Sequence, residues 1–236
     1  MRAMFLAHDP GSHPGLIGAA LAQRGFDIEV VAMSDTIADG SWHGAFPAAT
    51  DAALLVPLGA VWSLNDRNQV GSWIDRELAL LREADAIGVP VLGICFGGQS
   101  LAAAHGGHVR QCRRTQIGWS RIDSDHPDLV PPGPWMQWHS DEFVVPPGAS
   151  ELARDALCAQ AFVLRRNLGV QFHPEVDRAR IERWVALGGD AALAEIEHAG
   201  TDVDTVLADA EAQADRASAD VELLVDRFLT EVAELR

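Results

Sequence analysis

The sequence predicts an α/β fold built on an open, mostly parallel sheet with helices on both faces, and two observations carry that reading. Short apolar runs alternate with helical patterns through the first half of the chain, as parallel strands joined by crossover helices require. One run, Val89 to Ile94, is continuously apolar, as a central strand buried on both faces must be. In order, Arg2 to His8 reads as a strand, Gly15 to Arg24 as a helix, Phe26 to Met33 and Asp51 to Pro57 as strands, and Gly71 to Ala86 as an amphipathic helix. A further helix is expected directly after Cys95.

The pattern then changes to short strands punctuated by Pro and Gly: His108 to Cys112, Ile117 to Asp123, Glu142 to Val145, Leu157 to Leu164 and Leu168 to Phe172. These suggest an antiparallel extension of the sheet. From Asp177 onward the reading is helical. Val203, Val206, Leu207, Ala210, Ala214, Ala217, Val221, Leu224, Val225, Phe228 and Val232 recur there at spacings of three and four, one apolar stripe suited to packing on a core. A single domain over residues 1–236 is expected, with its core in 1–176 and a helical layer in 177–236.

Composition narrows the function. A net charge of −16 and a pI near 4.8 argue against nucleic acid or an anionic membrane surface as partner, since either needs a concentrated basic face. The basic residues are all arginine, and no phosphate-binding loop of the G-x-x-x-x-G-K-[ST] or G-x-G-x-x-G kind is present. Three unpaired-looking cysteines fit a reducing cytoplasm, and the N-terminal apolar stretch, broken by His8 and Asp9, is too short for a signal sequence or a span. His105-Gly-Gly-His108 has a superficial ligand spacing, but the glycines break any rigid clamp and no further ligand completes a set; no metal and no cofactor are expected.

The chemistry concentrates at two strand ends. In Val89-Pro-Val-Leu-Gly-Ile-Cys95-Phe-Gly-Gly-Gln99 a G-x-C-x-G pattern joins the apolar strand to a helix, the cysteine counterpart of a nucleophile elbow. Gly93 and Gly97 must be small because the turn is sharp, and the helix N-terminus after Cys95 favours the thiolate. Cys112 and Cys158 have no such context and read as inert core residues. A nucleophilic thiol needs a base and a group to orient that base. Gly169-Val-Gln-Phe-His173-Pro-Glu175 supplies both at the end of another apolar strand.

GICFGGQ together with VQFHPE resembles the class I, triad-type glutamine amidotransferases, the family that includes the amidotransferase domain of GMP synthetase. The stretch WMQWHSDEFVVPPGASELARDALCAQAF resembles a further motif of its stand-alone members. The resemblance implies a flavodoxin-like sheet and a thioester mechanism. In it Cys95 attacks the γ-carboxamide of glutamine, His173 passes the proton to the leaving nitrogen, and Glu175 orients His173. It also implies an oxyanion hole from the backbone N–H groups of Phe96 and Gly59, although the loop Gly59-Ala60-Val61 departs from the family's G-G-P-x-S. Gln99, Trp138, His139, Ser140 and Asp141 are implied to contact the α-amino and α-carboxylate groups of the substrate. No role is carried to Gln116, where relatives often have glutamate. The implied partners are L-glutamine or a γ-glutamyl compound and an ammonia acceptor on a separate synthetase subunit. A γ-glutamyl peptidase using the same residues is the alternative; a silent regulatory protein is a second one, against which the intact Cys95, His173 and Glu175 argue.

Overall fold

The structure, a computed structural model, describes residues 1–235. Strands β1 (Arg2–Ala7), β2 (Asp27–Ala32) and β3 (Leu54–Pro57) pair in parallel in the order β2-β1-β3. A bridge from Leu55 to Val91 carries the sheet across to β4 (Leu92–Ile94), which pairs in parallel with β10 (Asn167–Val170). From β10 the sheet continues antiparallel through β9 (Ala159–Leu164), β8 (Ser150–Arg154) and β6 (Asp123–Ser124). The result is the flavodoxin-like arrangement, a parallel half with an antiparallel extension.

Alternation along the strands decides which helices cover which face. Ala3, Phe5 and Ala7 of β1 join the core built with α1 (Gly15–Gln23) and the end of α6 (Val203–Arg227). Met4 and Leu6, pointing the other way, join the core built with α3 (Ile74–Ile87) and α4 (Phe96–Ala104). Between β3 and α3 lies the short helix α2 (Arg67–Val70), so the helix expected from Gly71 starts three residues later, at Ile74.

Two other expectations are corrected. His108–Cys112 and Ile117–Asp123 are one bent strand, β5 (His108–Ser120), whose register shifts between Gln111 and Gln116. Its antiparallel partner β7 (Trp135–Val144) is far longer than the expected Glu142–Val145, because inward-facing Gln137 and His139 hide its periodicity. The C-terminal region is two helices: α5 (Arg178–His198), broken at Gly189 (φ 52°, ψ −134°), and α6. In α6 the stripe faces inward at Val206, Ala210, Ala217, Val221, Leu224 and Val225, whereas Ala214 stays exposed.

No helix among the described residues is long and apolar enough to cross a membrane.

Candidate active site

Four neighbouring parallel strands deliver their carboxyl ends to one place, the edge where open α/β sheets present chemistry. After β4 comes Cys95, after β10 His173, after β3 Gly59, and after β1 the turn His8 to Ser12. Cys95 adopts φ 51° and ψ −108°, a strained backbone for a residue with a side chain. The glycines around it make the turn possible. A Cβ on Gly97 would lie 1.9 Å from the Pro57 carbonyl oxygen, and one on Gly93 would lie 2.6 Å from that of Gly97.

His173 sits across from the thiol, its Nδ1 2.8 Å from Glu175 Oε1, with both side chains nearly closed to solvent. Its Nε2 is buried and hydrogen-bonded to nothing. Burial works against the imidazolium, but charge on Cys95 and Glu175 outweighs it and holds His173 well above its ordinary pKa. The imidazole is thus held from behind, with one nitrogen left for proton transfer. Trp184, on α5, packs on the His173 ring in a T-shaped contact with centroids 4.9 Å apart, and its indole N–H donates to the Gly11 carbonyl at 2.9 Å.

The loop after β3 approaches closely. A Cβ on Gly59 would lie 2.8 Å from His173 Cε1 and 3.8 Å from Cys95 Cβ. Neither the Gly59 nor the Phe96 amide donates to a backbone or side-chain acceptor among the described residues. The Gly59 carbonyl, in contrast, accepts from Ser12 Oγ at 2.9 Å and faces His8 Nδ1 at 3.3 Å. Peptide units are planar and trans, so the Ala60 N–H points the opposite way, and it too has no acceptor among the described residues.

Gln99, Trp138, His139, Ser140 and Asp141 all line the same cavity, of about 780 Å³. Gln99 Nε2 donates to the Asp141 carbonyl at 3.1 Å, and His139 Nδ1 lies 3.0 Å from that same oxygen. The other His139 nitrogen meets Gln137 Oε1 at 3.1 Å. Asp141 lies within β7, and its carboxylate accepts a hydrogen bond from Ser63.

Sequence reasoning missed several residues around the site. Gln171 directs its amide toward Cys95 Sγ at 3.7 Å. Glu195 on α5 accepts from Trp138 Nε1 at 3.1 Å and Ser140 Oγ at 3.3 Å. Helix α5 is therefore a roof over the cavity as well as a packing layer. The Asp9-Pro-Gly-Ser12 turn at a strand end was the available signal for the N-terminal loop. Nothing in the helical pattern of α5 marked Trp184 or Glu195. Cys112 also departs from expectation: it is half-buried, and the neighbouring Cys158 thiol and His139, 3.5 Å from its sulfur, bring its thiol below the usual range although burial opposes this. Cys158 is pushed up in return. No group of three or more potential metal ligands occurs among the described residues.

Known proteins resemble the chain in both sequence and structure. The family profile "Glutamine amidotransferase class-I" matches residues 11–183. A GMP synthase (glutamine-hydrolyzing) of Aeropyrum pernix is 32% identical over 193 residues, 76% of this chain and 35% of that protein. One from Thermomicrobium roseum is 37% identical over 139 residues, 52% of this chain and 26% of that protein. The chain thus spans about a third or less of these relatives' length. A glutamine amidotransferase structure from Methylobacillus flagellatus superposes with a TM-score of 0.84 at 27% identity, covering 98% of this chain and 95% of that one. One from Thermotoga maritima gives 0.81 at 22% identity, covering 97% and 98%, and shares the fold. With the profile spanning both strand ends that carry the thiol and the imidazole, the chain belongs to the class-I glutamine amidotransferases, enzymes of glutamine amide hydrolysis.

Proposed function

We propose that Cys95, His173 and Glu175 are the catalytic residues of this enzyme and hydrolyse the side-chain amide of L-glutamine through a γ-glutamyl thioester. The observation that carries the reading is the His173 geometry: Nδ1 on Glu175, Nε2 unengaged, and a strained thiol at a strand end beside it. Cys95 Sγ attacks the amide carbon with its proton already on His173, the imidazolium that charge on Cys95 and Glu175 favours. The resulting oxyanion is held by the amides of Phe96 and the Gly59–Ala60 loop. His173 then protonates the nitrogen, ammonia leaves, and water, deprotonated by His173, hydrolyses the thioester to glutamate. Trp138, Ser140 and Asp141 bind the amino-acid end, with Gln99 and His139 holding that strand in place. The ammonia acceptor lies outside these residues, on a synthetase partner.

A second reading, γ-glutamyl peptidase, is favoured by one observation. A cavity of about 780 Å³ falls in the range that encloses drug-sized ligands, far more than departing ammonia needs. The test is a paired assay of wild type and Cys95→Ala for ammonia release from L-glutamine and for cleavage of γ-glutamyl dipeptides. Cys95-dependent ammonia release supports the amidotransferase. Dipeptide cleavage at a much higher kcat/KM replaces it with the peptidase, and no turnover of either contradicts both.

A further inference from the structure

His8 and Glu77 are chemically active side chains that the reaction above does not use. They lie 69 residues apart in sequence, yet His8 Nε2 is 2.9 Å from Glu77 Oε2, and both side chains are fully closed to solvent. The other ring nitrogen, Nδ1, faces the Gly59 carbonyl at 3.3 Å. Each ring nitrogen therefore faces an oxygen, and although burial opposes the charged ring, Glu77 and the Gly59 carbonyl outweigh it and favour the imidazolium. The ring lies flat on Trp73 at 5.4 Å and against the Phe96 ring at 4.9 Å.

Such a pair is a poor way to stabilise a core. Taking two charges out of water costs more than well-packed apolar residues would, and Glu77 Oε1 is buried without any partner. Its placement has another consequence. His8 touches the Gly59 carbonyl and the Phe96 side chain, the two residues whose amides border the thiol. Its neighbours in the same turn reinforce the hold: Ser12 Oγ donates to the Gly59 carbonyl, and the Val61 N–H donates to Asp9 Oδ2 at 2.9 Å.

We propose that His8 and Glu77 form a buried positioning pair that fixes the Gly59–Ala60 peptide unit, and with it the oxyanion hole, ahead of substrate binding. Glu77 holds the ring, the ring and Ser12 hold the carbonyl, and the loop amides stay turned toward the reacting carbon. The pair acts through the loop and touches no substrate atom. This rests on the reading of Cys95 as the nucleophile.

The test separates oxyanion stabilisation from thiol reactivity. In His8→Ala, kcat for L-glutamine falls by about 10- to 100-fold with KM little changed, since a misplaced oxyanion donor costs transition-state stabilisation selectively. The rate at which iodoacetamide alkylates Cys95, a displacement that develops no carbonyl oxyanion, stays within about twofold of wild type. Glu77→Gln keeps the packing and an acceptor for Nε2, so it shows the same signature with a smaller loss, and it serves if His8→Ala does not fold. A rise in KM at constant kcat, or a parallel fall in alkylation and turnover, overturns the proposal and leaves the pair a structural one. An active wild type with both variants unimpaired also overturns it. A wild type without Cys95-dependent amide hydrolysis instead overturns the reading of the site, and this proposal with it.

Discussion

Two histidines in this molecule each meet a cysteine, and the two encounters are built differently. His173 faces Cys95 with Nδ1 on the Glu175 carboxylate and Nε2 unengaged. His139 lies 3.5 Å from Cys112 Sγ, but through the same Nδ1 that meets the Asp141 carbonyl, while Nε2 is occupied by Gln137. Among the described residues no carboxylate orients His139, and Cys112 sits in the bent strand β5 rather than on an elbow before a helix N-terminus. Cys112 nevertheless has a thiol drawn below the usual range by the Cys158 thiol and His139 beside it, although burial opposes this. What separates the two sites is a free imidazole nitrogen, a carboxylate behind the ring, and backbone amides beside the sulfur.

The comparison breaks most visibly if Cys95 is dispensable. Cys95→Ala should lower ammonia release from L-glutamine by on the order of 10⁴-fold or more, because removing the nucleophile of a triad leaves only binding and oxyanion contacts. Glu175→Gln comes next, with a loss of about 10²- to 10⁴-fold in kcat, since an orienting carboxylate also fixes the tautomer. It carries a pH signature. The Glu175 charge favours the imidazolium, so its removal lowers the His173 pKa, and the alkaline limb of the kcat/KM profile should move down toward the ordinary histidine value. A limb that stays in place would detach Glu175 from His173.

Gly59→Ala is smaller again. The added Cβ would meet His173 Cε1 at 2.8 Å, so either the ring or the loop must shift, and kcat should fall by about 10²-fold, measured beside thermal unfolding to exclude global damage. Cys112→Ser marks the low end. It should change kcat by less than about threefold, the range of a substitution outside the reacting groups. A larger loss would mean that the second encounter also serves the reaction.

Much of the site was legible because its chemistry depends on local sequence. The glycines at 93 and 97 and the apolar strand before Cys95 expose the elbow, and His173 and Glu175 are two residues apart on the next strand end. The parallel half of the sheet was legible from uninterrupted apolar runs such as Val89 to Ile94. Strand β7 was not, since Gln137 and His139 occupy inward positions where the pattern expects apolar side chains. Nor were His8 and Glu77, whose meaning comes from a contact across 69 residues. Glu195 and Trp184 lie on a helix whose pattern gives no sign that one face covers a cavity.

The most direct test of the central claim asks which thiol a substrate-like electrophile finds. A glutamine analogue bearing a diazoketone in place of the carboxamide, which alkylates sulfur with loss of dinitrogen, is allowed to react with the wild-type enzyme. The adduct is then mapped by peptide mass spectrometry beside an iodoacetamide control. Modification of Cys95 alone by the analogue, prevented by L-glutamine, while iodoacetamide also marks Cys112, is the predicted result. An adduct on Cys112, or labelling of Cys95 that glutamine does not slow, would contradict the account.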